Sequence, residues 1–349
     1  MSGFVIAATM VLASSFVDLE NRELTYAGTA DVSAVVFLDQ AHFVAADDES
    51  NTLRVYRVSD TDKPFYKLEL SGFLGADADH PEGDIEAAAR VGDTIYWITS
   101  HGRNKDGKLR PSRYRFFATE IRYAGGPENK VFSSLAVKGL PCSTLIDQFL
   151  KHPAAAGLNL ESAVQKDRDL SKKQRKKLAP KDEGLNIEAM TWLTESESLL
   201  IGLRNPLYRA DKKGRGQAIL FELLNSNEVV EGKAAQFGRV LLWDLGDRGL
   251  RGMEYDPFRK VHYVIGGAVD SETAQCCLSG MGLWIISRGR FLSGLNRRVR
   301  LRRKELRCIR MGRRYGFSAM TARLRFRSHP RANVWTANCS NREIVPISF

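Results

Sequence analysis

DIEAAARVGDTIYWITSHGR, residues 84–103, and NIEAMTWLTESESLLIGLRN, residues 186–205, read as one unit written twice. Each opens with a polar residue, an apolar residue and Glu, runs on as a short apolar strand, turns tightly and continues as a second apolar strand. DVSAVVFLDQAHFVAADDE at 31–49 and RGMEYDPFRKVHYVIGGAVD at 251–270 lie over the same frame. A strand pair repeated along the chain predicts radially repeated sheets. Behind the first three pairs come runs rich in β-branched and aromatic residues, at 52–58 and 65–70, 114–121 and 131–137, and 218–224 and 239–245. Gly, Asp, Asn or Pro bounds each of them, as strand ends require. The expectation is an all-β, β-propeller-like fold with four-stranded blades over residues 25–273, three blades nearly complete and a fourth begun by Asp270.

One stretch breaks the β pattern, the segment 141–184. Ser143 stands where a helix cap would, ahead of Leu145, Ile146, Phe149 and Leu150, whose spacing matches one apolar helical face. A second helical stretch ends in KDRDLSKKQRKKLAPKDEG at 166–184. Its Lys and Arg suit phosphate, but the interspersed acids favour a solvated surface helix.

The whole chain, 349 residues with 43% hydrophobic and 27% charged content, is long enough to bury a large core, and its net charge of +11 points to a polyanionic partner. That average hides a division. Residues 274–349 hold sixteen Arg and one Lys against Glu305 and Glu343, a surplus of +15, so residues 1–273 carry −4. The same segment has no Asp and holds Cys276, Cys277, Cys308 and Cys339, four of the five cysteines. No spacing among them suggests a disulfide framework or a metal site. Two readings fit: a basic arm for nucleic acid, with RRVRLRRKELRCIRMGRR at its centre, or translation of a GC-rich gene out of frame, which depletes Asp and Lys while enriching Arg and Cys. The second reading leaves the propeller an incomplete ring.

At the start, Phe4 to Val17 is apolar, with Ala13 and Ser15 small enough for signal cleavage, yet no Lys or Arg precedes it. It reads either as a secretory signal, making the protein periplasmic or secreted, or as an apolar N-terminal segment of a cytoplasmic one. No stretch reaches membrane-spanning length, so integral membrane association is not expected.

The segments at 84–119 and 184–207, with FVAADDESNTLRVYRV at 43–58, resemble the bacterial domain of unknown function family numbered 3616. The paired SHGRN and LRNP motifs, at 100–104 and 203–206, carry the resemblance, which spans roughly residues 25–270. It implies a propeller-like β-fold, often an exported bacterial protein, and no known reaction.

Antiparallel pairing brings the beginning of each inner strand beside the end of the next strand. The repeated polar positions therefore converge on one face: Asp31, Asp84, Glu86, Asn186, Glu188 and Glu254 from strand starts, and Asp47, Asp48, Glu49, His101, Arg103, Asn104, Arg204 and Asn205 from strand ends. Glu86, Glu188 and Glu254 are the candidate metal ligands, with Ca²⁺ the ion that hard oxygen ligands suit. Arg103, Asn104, Arg204, Asn205 and Asp48 are the candidate ligand-binding set, for a small or anionic molecule or a partner protein. His101, Glu86 and Glu188 are the candidate catalytic groups, should the face carry metal-assisted hydrolysis of a phosphate or ester. A Glu that recurs in every blade also fits a structural bolt, bonding backbone amides or the neighbouring blade's Arg. His101 has no counterpart in the repeat and is the better candidate for chemistry, though a hydrogen-bonding role suits it equally. There is no GxSxG, HExxH or GxxxxGK[ST] motif. Trp97, Trp192 and Trp243 read as core packing.

Overall fold

A computed structural model describes residues 23–269 apart from 30, 61–62, 127–128, 167–168, 180–182, 212–213 and 257–259, and beyond them the backbone of strands at 282–287, 290–295, 307–310 and 320–327. The signal reading of residues 1–17 and Asp270, Cys276, Cys277 and Cys339 lie outside the described residues.

Sixteen of the strands form four antiparallel sheets of four, each in sequence order. The first holds β2 (Val32–Phe37), β3 (His42–Asp47), β4 (Ser50–Arg57) and β5 (Tyr66–Glu69). The second holds β6 (Ile85–Val91), β7 (Thr94–Thr99), β8 (Phe116–Ala124) and β9 (Val131–Cys142). The third holds β10 (Asn186–Leu193), β11 (Ser198–Asn205), β12 (Ala218–Leu223) and β13 (Phe237–Trp243), and the fourth β14 (Gly249–Asp256), β15 (Val261–Gly267), β16 (Gly282–Ser287) and β17 (Arg290–Leu295). The inner strands β2, β6, β10 and β14 pack on one another in that order, which is the arrangement of propeller blades. Beside the first blade stands a three-stranded sheet in which β1 (Glu23–Ala27) pairs in parallel with β19 (Met320–Arg327), and β19 with β18 (Arg307–Arg310). The molecule is thus a propeller-like array of four full blades, and not a closed barrel.

These runs are apolar on both sides because each blade buries both faces against its neighbours. Every residue of SLLIGLRN in β11 is buried, and Trp97 is fully enclosed with its indole N–H donating to the Thr119 hydroxyl at 2.9 Å. The hairpin from β6 to β7 needs only Gly92 and Asp93 between paired Val91 and Thr94, and Gly92 supplies the positive φ of +60° that so short a turn demands. The last two strands of the fourth blade come from the Arg-rich segment. GLWIIS, with Trp284, Ile285 and Ile286, and RFLSGL, with Phe291, Leu292 and Leu295, are short apolar runs within it, and they take the places that the repeat requires.

The insertion folds as short helices at Leu145–Leu150, Leu160–Val164 and Lys172–Lys177. Thr144, not Ser143, occupies the cap position of the first, and its side chain makes no capping bond. The helix is held instead by burial of Leu145, Ile146 and Phe149, with Phe149 stacked on Phe221 at 4.2 Å and edge-on to Phe237 at 5.2 Å. One continuous apolar cluster therefore runs from blade 2 through the insertion into blade 3.

Candidate functional site

Each inner strand contains an equivalent register slip near its start. These slips fall between Val32 and Ala34, Ile85 and Ala87, Ile187 and Ala189, and Leu250 and Gly252. The extra residues are Ser33, Glu86, Glu188 and Arg251. A bulge re-aims the side chain it carries, and because the inner strands are neighbours, the four meet along one face. The Ser33 hydroxyl donates to the Ile85 carbonyl in the next blade. Arg251 reaches back to Glu188, and it also feels the Glu86 carboxylate.

Glu188 is 4% exposed and gathers three donors. The Asn186 amide lies at 2.9 Å, the Arg204 guanidinium at 2.9 Å and the Arg251 guanidinium at 3.1 Å. Arg251 gives a further bond to the Ala268 carbonyl at 2.7 Å. Burial pulls the Arg251 pKa down, against the pull of Glu188 upward. The approach of blade 4 that makes this possible depends on Gly249, where a Cβ would lie 1.7 Å from the Arg204 carbonyl oxygen. Asn205, fully buried ahead of a cis bond to Pro206, donates to the Gly184 carbonyl.

At the junction of blades 1 and 2 the charge is reversed. Asp48, in the β3–β4 turn, Asp84 and Glu86 bring carboxylate oxygens within 4.8 Å of one another. Arg113, at the end of the 3₁₀ turn Pro111–Arg113, donates to Asp84 at 2.8 Å and Glu82 at 2.6 Å. Burial lowers its pKa, but Asp84 and Glu82 outweigh that and raise it. Asp47 is occupied locally, accepting from the Thr29 hydroxyl, from the Asp31 amide at 3.3 Å and from the Glu49 amide at 2.9 Å. Two oxygens on one Ca²⁺, each at about 2.3–2.6 Å, stand at most about 5 Å apart, so Asp48, Asp84 and Glu86 fit a hard divalent ion.

The grouping departs from the expected metal set. Glu86 stands with Asp48 and Asp84 rather than with Glu188 and Glu254. Glu188 is engaged by two arginines, and Glu254, five residues beyond Gly249, stands opposite Tyr263 with its carboxyl pushed up to about 7 by burial and by Asp256. The position in blade 4 equivalent to Glu86 and Glu188 is Arg251, because the bulge and not the nearest Glu sets the frame.

His101 is fully buried at φ +52°. Its Nδ1–H donates to the Thr99 carbonyl at 2.9 Å, and Nε2 has no hydrogen-bond partner among the described residues. Burial drives its pKa down to about 3, with Lys166 adding to the effect. The ring is therefore neutral at pH 7, packed edge-on to Tyr114 at 5.6 Å. Arg103 and Asn104 serve the loop that carries them. Arg103 donates to the Gly107 carbonyl at 3.1 Å and the Gln165 carbonyl at 2.8 Å, tying blade 2 to the insertion. The Asn104 side chain accepts from the amides of Asp106 at 3.1 Å and Lys108 at 2.8 Å.

No family model matches the chain, and no curated protein matches it. Among solved structures it is similar to hydrazine synthase from Kuenenia stuttgartiensis, at 9% identity and a TM-score of 0.33 over 77% of this chain and 50% of that one. It is also similar to two structures from B. thetaiotaomicron, described as extracellular domains of a one-component and a hybrid two-component system. Identities are 11% and 10% and TM-scores 0.30 and 0.28, over 74% of this chain in both cases. The chain spans half the length of the first of these and about a fifth of the other two.

Proposed function

We propose that the protein is a binding module whose polar face takes a small charged ligand, and that it belongs with the family of unknown function that its SHGRN and LRNP motifs resemble. The observation that carries this reading is the meeting of carboxylates from two blades, Asp48 with Asp84 and Glu86, beside the guanidinium of Arg113. Carboxylates brought this close repel, and positive charge placed among them relieves that repulsion. A divalent cation is the class that best matches the donors, and a ligand with an anionic group could then be held between the cation and Arg113. His101, neutral and enclosed, does not support a hydrolytic reading in which it exchanges protons near pH 7.

Calcium titration followed by thermal melting of the full chain tests the proposal. At a concentration about a hundredfold above the dissociation constant, a bound ion adds about 2.7 kcal/mol to stability, which appears as a rise in melting temperature reversed by EDTA. Glu86→Gln and Asp48→Asn should abolish the rise. An unchanged melting curve with calcium, magnesium and manganese alike would remove the cation from the proposal. A rise that persists in both variants would place the ion elsewhere.

A further inference from the structure

The Lys172–Lys177 helix, KKQRKK, carries five cations in six residues and buries none of them. Lys172 with Lys176, and Lys173 with Lys177, are like-charge neighbours one turn apart, and each such pair works against the helix. A capping box between Ser171 and Gln174 holds its first turn. By itself the helix is a solvated surface element. The fold adds a second row of charge to it. The blade 2 loop shaped by Asn104 packs so tightly on the helix that a Cβ on Gly107, at φ +72°, would lie 1.9 Å from the Arg175 carbonyl oxygen. Lys105 and Lys108 flank that glycine and are exposed. Lys177 has Glu183 at 3.7 Å, and Asp106 shares the loop, but Lys105, Lys108, Lys172, Lys173 and Lys176 form no ion pair among the described residues. Two segments more than sixty residues apart are thus packed so that cations without an ion pair among the described residues come together, within a region of the chain that is acidic on balance.

Local folding does not require such crowding, whereas a polyanion relieves it. The exposed large apolar side chains among the described residues are Phe65, Val131, Val137, Leu140 and Leu224, all on other segments. The surface therefore lacks both the apolar anchors of a membrane-seated helix and the aromatic platforms that stack on bases. We propose that the Lys105–Lys108 loop and the Lys172–Lys177 helix together dock the sugar–phosphate backbone of a nucleic acid, without reading its bases. This site is separate from the polar face, and its charge is independent of the Arg-rich segment.

The test is fluorescence anisotropy of a labelled mixed-sequence DNA duplex with the full chain, titrated across a range of salt. Lys105→Gln, Lys172→Gln and Lys176→Gln combined should weaken binding at least about tenfold at low salt. They should also reduce the slope of log affinity against log salt by about 2.7, that is about 0.9 for each phosphate no longer neutralised. Lys67→Gln, Lys130→Gln and Lys233→Gln combined remove the same net charge elsewhere and should leave the slope unchanged. The first triple variant should melt no lower than the parent, since it relieves repulsion, so weakened binding would not reflect unfolding. The proposal is overturned if the parent does not bind the duplex, if the two triple variants behave alike, or if the first triple variant loses binding to anionic phospholipid vesicles and not to DNA.

Discussion

Replacing Glu188 by Gln keeps its volume and leaves two guanidiniums facing each other across blades 3 and 4. The side chains of Arg204 and Arg251 are 9% and 13% exposed, and that of Glu188 is 5% exposed, so little water reaches the space where the charge was neutralised. Removing one partner from a buried ion pair costs about 3–5 kcal/mol. Arg251 keeps its bond to Ala268, so the lower end, about 3 kcal/mol, is expected here. In urea denaturation with a slope of about 1–3 kcal/mol per molar, the midpoint should fall by about 1 M or more. Arg251→Met should cost less, because Glu188 retains Arg204 and Asn186. The double variant should then cost less than the two single changes added together, with a coupling of about 1–3 kcal/mol. Glu120→Gln, whose side chain is 49% exposed on blade 2, is the control and should stay within about 0.5 kcal/mol of the parent. If Glu188→Gln also falls within that range and the cycle shows no coupling, the network is solvated and does not bolt the blades together. If stability holds but ligand uptake is lost, Glu188 belongs to the binding function instead.

Three further outcomes can be measured on the same protein. His101 is neutral in the fold down to about pH 3 and titrates near 6.5 when unfolded, so the unfolded chain binds the extra proton between those values and stability falls as the pH drops through that window. The His101 contribution should shrink by about 2 kcal/mol between pH 6.5 and 5, and urea midpoints of His101→Asn should lack that part of the slope. Burial raises the Glu222 carboxyl, but bonds from Arg239, Ser196 and Ser198 outweigh it and hold the pKa at about 2; its stabilisation is complete above the unfolded value near 4.3 and is lost as pH falls toward 2. Glu222→Gln should cost about 1–3 kcal/mol at neutral pH and flatten acid denaturation followed by circular dichroism. Gly249→Ala should cost about 2 kcal/mol or more by forcing β14 away from the Arg204 carbonyl, whereas Gly252→Ala, whose nearest neighbour is the Ile265 methyl at 3.9 Å, should be close to neutral in thermal melting.

The blades were legible because their signal is a pair of apolar strands, repeated and bounded by turn residues; strand pairs at 84–103 and 186–205 fold as the pattern implies. The face was legible in part, since strand starts and ends do meet, as Asn186 meets Asn205. What the pattern lacks is any mark of a bulge, which shifts a strand by one residue without changing its composition. Laying Arg251 over Asp84 and Asn186 therefore misplaced Glu254, since Arg251 is the bulged residue of its strand, as Glu86 and Glu188 are of theirs. Arg113 was missed for a different reason. It comes from a 3₁₀ turn after the strand pair, and nothing local to PSRYR shows that a guanidinium there returns to Asp84. Nor does spacing along the chain reveal that the 104–108 loop rests on a helix at 172–177. In the last blade the Arg-rich composition concealed two short apolar runs, which the pairing with β15 brings out.

The apolar cluster that runs from blade 2 through the insertion into blade 3 changes what kind of repeat protein this is. Stacked repeats ordinarily behave as a chain of similar units, each stabilised by its own folding and by its contact with the next. Here Phe149 of the insertion packs on Phe221 and Phe237 of blade 3, and the same cluster continues into Tyr96, Ile98 and Phe116 of blade 2, so amide protons of β7 and β11 should exchange with a common opening free energy. Blade 1 meets blade 2, and blade 4 meets blade 3, through smaller apolar clusters of their own, so these outer junctions should open before the central block. Proteolysis and hydrogen exchange would then resolve this molecule into a slow-exchanging pair with two looser neighbours, and not into four equal steps.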